Sequence, residues 1–387
     1  MFNVIVLGIA SLLTDISSEM VYPILPVYLV IQLGAGPAAL GLIEGVAEST
    51  ASLLKVFSGF YSDKIKSRKP PTIFGYSASA IGKLLLYISS SWPLVFAART
   101  VDRFGKGVRT APRDALIAES VPANKRGAGF GLHRALDTLG AAIGVVLAYI
   151  LVVHYKDGLK TVFLVSFIPA IVGIAFLFFV RESKRFETIA KSKLEFRWSA
   201  LDKRLKVFLI FTFIFTLGNS SNQFLLLKAK DMGNPLSTVI LLYLVYNITY
   251  AFSAYPASRL SDKIGRRKLL VSGYIFYGLV YLGFALNRSP GSFWYLFAVY
   301  GLYMGFTEGV EKALLTDIAP ANLRATTIGL HATLVGIGLF PASLLAGLLW
   351  KVLGSSAPFY FGGFIGITSG ISLWFILKEG PTQLTTA

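Results

Sequence analysis

Between residues 99 and 114 the chain reads RTVDRFGKGVRTAPRD, five basic and two acidic side chains in sixteen positions. On a helix turning 100° per residue, Arg99, Asp102, Arg103, Lys106, Arg109, Arg113 and Asp114 share a sector of roughly 140°, and Val101, Phe104, Val108, Ala111 and Pro112 take the other side. Such a seam forms ion pairs, grips anionic groups and exchanges protons wherever a carboxylate is left free. Partners recur nearby at helical spacing. Asp15 and Glu19 stand i, i+4, as do Glu44 and Glu48, with Lys55 on the same face; His133 and Asp137 form another i, i+4 pair beside Arg134, and Lys83 adds a cation. Farther along, Glu308, Glu311 and Lys312 cluster, among the neutral polar residues Asn219, Asn222, Gln223 and Asn247.

What must position these groups follows from composition. A mean hydropathy of +0.64, with 54% hydrophobic and 15% charged residues, describes a chain whose solvent is lipid. Apolar runs repeatedly reach the ~20 residues that a helix needs to cross ~30 Å of hydrocarbon. Twelve spans are predicted: 3–33, 39–61, 72–91, 94–119, 127–153, 159–181, 204–228, 235–260, 269–287, 291–318, 325–351 and 357–378. The first lacks the basic start and the small-residue cleavage site of a secretory signal, so it is read as a retained helix. An unpaired charge at bilayer depth costs on the order of 3 kcal/mol or more, so the charged seam must face a bundle interior or a wet cavity. Across the first six spans eight acids nearly cancel eight bases, as a buried network requires.

The net charge of +17 is distributed by loop: 21 Lys and Arg fall on one set of loops, the linker and the C-terminus, against 6 on the opposite set. That bias puts both termini and the linker in the cytoplasm and makes nucleic-acid binding unnecessary. The polar stretch from Arg181 to Lys206 divides the chain into an N-terminal bundle (1–181), a linker (182–203) and a C-terminal bundle (204–387). SDKI at Ser62–Ile65 recurs at Ser261–Ile264, offset by 199, and PANKRGAGFGLH from Pro122 recurs as PANLRATTIGLH from Pro320, offset by 198. Six spans separate the copies, so the halves are parallel repeats about the membrane normal, with a central path between them.

The loop motifs carry a resemblance to the major facilitator superfamily (MFS) of secondary transporters over essentially the whole chain. The first copy has Gly59, Asp63, Lys64, Arg68 and Lys69, with Lys66 where the family's pattern has glycine; the second has Asp262, Lys263, Gly265, Arg266 and Arg267, with Ser258 in place of the leading glycine. The resemblance implies an all-α membrane protein of twelve transmembrane helices in two pseudo-symmetric six-helix bundles, and loop latches that are made in one access state and broken in the other. The family's fourth-span arginine fits Arg99 or Arg103. Gly140 and Gly144 stand in the fifth span, with Ala141 and Val145 where the antiporter signature has Pro and a further Gly.

The expected function is secondary transport of a small solute, proton-coupled and favouring export. Asp15, Glu19, Glu44, Glu48, Arg99, Asp102, Arg103, Lys106, Arg109 and Asp137 are the expected proton-coupling charge network. Tyr22, Asn219, Asn222, Gln223, Asn247, Glu308, Glu311 and Lys312 are the expected substrate path. Gating falls to Gly59, Asp63, Lys64, Arg68, Asp262, Gly265, Arg266, Arg113, Asp114 and Arg134. Tyr28, Tyr243, Tyr246 and Tyr250 are read as packing or as cavity lining. The basic seam keeps an organic-anion (carboxylate or phosphate) symporter or uniporter as the alternative, ahead of a metal-cation carrier or a non-transporting membrane protein. Cysteine is absent and His and Met number three and four, a poor ligand set for a transition metal. GYSA at Gly75–Ala78 lies in a small-residue helix and reads as packing rather than as a protease nucleophile. No phosphate loop, dinucleotide fingerprint or zinc-protease histidine pair appears, and the linker is too short for a nucleotide-binding domain. No enzyme activity, cofactor or metal is expected. The expected partners are the substrate, protons and the lipid bilayer, for a monomer in the plasma (inner) membrane.

Overall fold

The structure, a computed structural model, describes residues 1–122, 125–155, 158–182, 201–319 and 324–376. Most of the expected linker (183–200), Lys156, Lys378 and parts of the Pro122 and Pro320 motifs lie outside the described residues. Regular structure among the described residues is helical: α1 (Phe2–Val21), α2 (Leu25–Val27), a π-helical turn (Tyr28–Gln32), α3 (Gly36–Ile65), α4 (Lys69–Ile88), α5 (Trp92–Glu119), α6 (Arg126–His154) and α7 (Gly158–Leu177) in the first half. The second half has α8 (Lys203–Gly218), α9 (Gln223–Asp231), α10 (Leu236–Ile264), α11 (Arg266–Leu286), a 3-10 turn (Pro290–Ser292), α12 (Phe293–Ile318), α13 (Arg324–Leu353) and α14 (Ala357–Ile376). These make twelve spans in two six-helix bundles. In the first, α1 packs on α6 and α7, and α5 on α3 and α4; in the second, α10 packs on α12, and α14 on α8 and α11. The halves meet through α3 with α13, α6 with α10, and α2 with α9.

Among the described residues seven helices would cross a membrane by length and apolarity alone, and α3, α5 and α12 are among the spans that fall short. Those three carry Glu44 and Glu48, the charged seam, and Glu308 to Lys312. Their polarity is what hydropathy penalises and what bundle packing hides.

The first span of each half, read as continuous from sequence, is broken. Pro23 has no N–H to continue α1, and the chain re-enters helix only at Leu25. In the second half Asn219–Asn222 leave the helix between α8 and α9. There Ser221 N–H donates to Ser343 Oγ (3.2 Å) and Tyr300 donates to Asn222 Oδ1 (2.7 Å). Broken spans put irregular backbone only where protein or a cavity satisfies it.

The Ser62–Lys69 turn explains the Lys66 departure. Lys66 ends α3 at φ +51°, the sole non-glycine residue with positive φ among the described residues, and its repeat counterpart Gly265 sits at φ +96°. A side chain there costs about 1–2 kcal/mol. Lys66→Gly is therefore expected to stabilise the detergent-solubilised protein by about 1 kcal/mol; an unchanged or lowered unfolding midpoint would refute the strain.

The seam between α3 and α13 is the most extensive contact between the halves among the described residues. A Cβ on Gly41 would sit 2.3 Å from the Ser343 carbonyl oxygen, and one on Gly347 2.5 Å from that of Pro37. Ser49 Oγ donates to the Gly336 carbonyl (2.7 Å) and Ser52 Oγ to that of Ala332 (3.1 Å). On this side, opposite the termini, Met20–Leu29 except Tyr22, and Gln223–Ala229, are buried. We expect Gly41→Val to wedge the seam. A cysteine at buried Leu40, in a chain with no cysteine of its own, should then react several-fold faster with an impermeant maleimide added on that side. Equal labelling would show that the seam tolerates the methyls.

Candidate functional site

Pro93 opens α5 in the first turn, where its missing N–H costs nothing. Helical spacing then turns the charges inward: Arg99 (2% exposed), Asp102, Arg103 and Arg109 are buried, while Phe104 on the back is exposed. Arg99 holds Glu44 Oε1 through Nε (2.9 Å) and Nη2 (2.7 Å), and its Nη1 reaches Asp102 Oδ2 (3.3 Å). Lys83 Nζ lies 3.1 Å from the same Asp102 oxygen. Ser221 Oγ, from the broken span of the other half, donates to Glu44 Oε2 (3.3 Å). Arg103 Nη2 pairs with Glu48 Oε1 at 3.1 Å. Two carboxylates and two cations thus neutralise each other in a fully enclosed cluster, with a third pair at its edge.

Beside this cluster the structure opens. Lys106 stands halfway along the 28-residue α5, on the charged side, yet it is exposed. Solvent therefore reaches mid-membrane depth from the side bearing the termini, because the other side is sealed. Lys106 has no ion-pair partner among the described residues. Neither has Asp15, half-buried on α1 within electrostatic reach of Lys106, Arg109, Glu19 and Asp137. Close contacts of Gly140 and Gly144 with the Leu12 and Ile16 carbonyls seat α1 against α6 and so fix Asp15. Glu19 accepts from the Tyr243 hydroxyl at 2.7 Å. Arg109 donates to Ser79 Oγ and lies 4.6 Å over the Tyr76 ring, with no carboxylate within ion-pair distance among the described residues.

From the first half Tyr22 reaches across to stack on Tyr243 of the facing half (5.2 Å between centroids), which stacks on Tyr246 (5.7 Å), which faces Tyr300 (5.4 Å). Asn222 bridges Tyr246 and Tyr300. Gln223 is fully buried with neither amide atom bonded among the described residues. Asn219 is half-buried, and Asn247 is spent on its own helix, donating to the Tyr243 carbonyl (3.1 Å). Of the expected acidic cluster on α12, only Glu308 and Lys312 come together (3.1 Å). Glu311 turns instead to His331 of α13 at 2.8 Å. Glu308 accepts from Tyr250, whose oxygen accepts from Arg134 Nη2 at 3.0 Å, tying the halves across a cavity of about 350 Å³.

Toward the termini lie the groups expected to gate. Arg113 pairs with Asp114 (2.9 Å) and donates to Ser11 (3.1 Å); His133 faces Asp137 (3.4 Å). Gly59 lets α3 approach Ala111 of α5. Arg68 bridges Asp63 (2.5 Å) and Glu119 (3.3 Å), and Arg266 bridges Asp262 (3.4 Å) and Asp317 (2.6 Å). The same latch, an arginine between two acids, stands in both halves, through different guanidinium nitrogens. Sequence reading had one acid of each bridge and missed Glu119 and Asp317 as the other, although their offset of 198 residues matches the repeat. Lys83, expected as an added cation, joins the enclosed core through Asp102; Ser221, Ser79 and the seam serines were missed, and no local spacing points to them. Lys64 is exposed and Gly265 closes α10.

A twelve-helix bundle in two like-oriented halves, with ionised side chains enclosed at mid-membrane depth beside a wet vestibule, defines a membrane transport protein. The family model for the Major Facilitator Superfamily matches residues 7–226 and 207–387. The chain is 40% identical over 382 residues to an uncharacterized MFS-type transporter of Methanocaldococcus jannaschii, covering 97% of this chain and 94% of that one. It is 25% identical over 391 residues to the multidrug resistance protein MdtG of Salmonella arizonae, covering 96% and 93%. Among solved structures, the nucleoside transporter NupG superposes with a TM-score of 0.80 at 13% identity (98% of this chain, 100% of that), and a D-xylose–proton symporter with 0.77 at 16% (96% and 97%). The chain belongs to the major facilitator superfamily, and is an MFS transporter.

Proposed function

We propose that the chain is a proton-coupled exporter of an organic or amphipathic small solute, working by alternating access of its two halves (1–181 and 204–387) about the central path. The reading rests on Asp15. Glu44, Glu48 and Asp102 are each gripped by a cation, so taking up a proton would strand an arginine or lysine. Asp15 has no such tie and sits beside the vestibule, where its protonation can differ between access states. Glu19, shared with Tyr243 of the other half, links that event to the docking of the halves. The expected path residues Tyr22, Asn222 and Glu308 supply aromatic, amide and acidic contacts for a solute of mixed character, and Gln223 is packed behind them. Similarity to MdtG supports export, and the positive-inside bias supports cytoplasmic termini in the plasma (inner) membrane. We propose a monomer that needs no cofactor. The test is flux in proteoliposomes with and without an imposed pH gradient, using organic solutes chosen by thermal-shift screening. Solute movement indifferent to the gradient would leave a uniporter; no movement of any screened solute would remove the export reading.

Lys106 favours one alternative, an organic-anion carrier, because its free ammonium projects into the same vestibule. Counterflow separates the two: loss of exchange for a carboxylate or phosphate solute in Lys106→Gln, with neutral and cationic solutes inert in wild type, would favour the anion carrier.

A further inference from the structure

On the back of the charged helix, away from the vestibule, α3, α4 and α5 enclose an apolar groove of about 500 Å³ whose walls include Phe57, Tyr61, Ile65, Pro71, Phe74 and Phe104. That volume is in the range of ligand sites. Phe57 is 67% exposed and Phe74 57%. Phe74 and Phe104 meet edge to face at 6.3 Å, so the wall is built rather than ragged. The groove runs from mid-membrane depth, at Phe104, to the Ser62–Lys69 turn, at Ile65. Lys64 and Lys66 flank Ile65, and both are exposed.

The charges around that mouth are unevenly committed. Asp63 and Glu119 are engaged by Arg68. Glu182 accepts from Ser67 Oγ (3.0 Å) and from the backbone N–H groups of Arg68 and Lys69. The Lys69 ammonium donates to the Phe178 and Val180 carbonyls, both at 2.8 Å. Among the described residues of the turn, Lys64 and Lys66 are left as cations without a partner. Lys66 is moreover held in the left-handed conformation that its repeat counterpart fills with glycine. A lysine kept where glycine fits more cheaply points to a use for its side chain.

We propose that this groove and the two lysines form a binding site for a phospholipid with a net negative headgroup, one acyl chain lying in the groove and the phosphate between Lys64 and Lys66. Hydrocarbon is the solvent along the groove's length, and basic pockets at the membrane surface attract anionic headgroups. The occupant is a lipid rather than the transported solute because the groove lies behind α5, separated from the vestibule by the helix itself.

The test uses the full chain in vesicles of phosphatidylcholine doped with either phosphatidylglycerol or phosphatidylcholine bearing a photoreactive acyl chain, with adducts mapped by mass spectrometry. Phosphatidylglycerol is expected to label the segments 54–74 and 104–108 preferentially, and Lys64→Gln and Lys66→Gln to cut that labelling by about fivefold each. Lys66→Gly provides the decisive second variant: it should be more stable in lipid-free detergent and yet lose the anionic preference. Equal labelling by the two lipids, or a preference untouched in all three variants, would overturn the site.

Discussion

Asp15→Asn is expected to end gradient-driven accumulation while leaving solute exchange in place. A gradient of two pH units is worth about 2.7 kcal/mol per proton, so one-for-one exchange holds a solute ratio of about one hundred across the membrane. Asparagine copies the shape of the protonated carboxyl and carries no proton, so the ratio should fall to about one. Counterflow, which needs only the rocking of the halves, should persist within about threefold, because Asp15 makes no ion pair whose loss would distort α1. An Asp15→Asn protein that still concentrates solute against its gradient would put the coupling elsewhere, with Glu19 first in line.

Arg99→Gln is expected to be the most damaging single change to stability. Glu44 is fully enclosed and Arg99 nearly so. Removing the guanidinium strands the Glu44 charge and halves the compensation of Asp102, a loss of about 3–5 kcal/mol. The partner change Glu44→Gln alone should also destabilise, and the double variant Arg99→Gln/Glu44→Gln should be more stable than the sum of the two losses predicts, because no stranded charge remains from that pair. Thermal unfolding of the three purified proteins in one detergent reads the cycle. Additive losses would mean that the pair is incidental to the packing.

Much of the fold was legible in the sequence because its signals are local or repeated. Helical spacing alone sorts Arg99, Asp102, Arg103 and Arg109 onto one side and Phe104 onto the other, and two motifs at nearly one offset declare the duplication. Hydropathy also marked the spans, though it ran straight through the breaks at Pro23 and Asn219. A membrane span tolerates such a break only when a neighbour satisfies the freed backbone, and Ser343 and Tyr277, which meet the Ser221 N–H and the Gly218 carbonyl at the second one, are more than fifty residues away. The site was legible in composition and less so in wiring. Asp15 and Glu48 look alike on a helical wheel; that one is gripped by Arg103 and the other has no partner depends on how α1, α3 and α5 pack. Glu311 parted from Glu308 for a similar reason, since His331 arrives from α13.

The two sides of the molecule are fastened by different materials. Glycine backbone against backbone and hydroxyls on carbonyls close the α3–α13 seam, an adhesive without net charge. The Arg134–Tyr250–Glu308 tie near the other side is a pair of charge-assisted hydrogen bonds, partly wet, between opposite charges at its ends. Dissolved electrolyte weakens the second kind within a Debye length and leaves the first almost untouched. On the proposed alternating-access reading, one door therefore listens to the ionic strength of the compartment it faces, and the other is deaf to it.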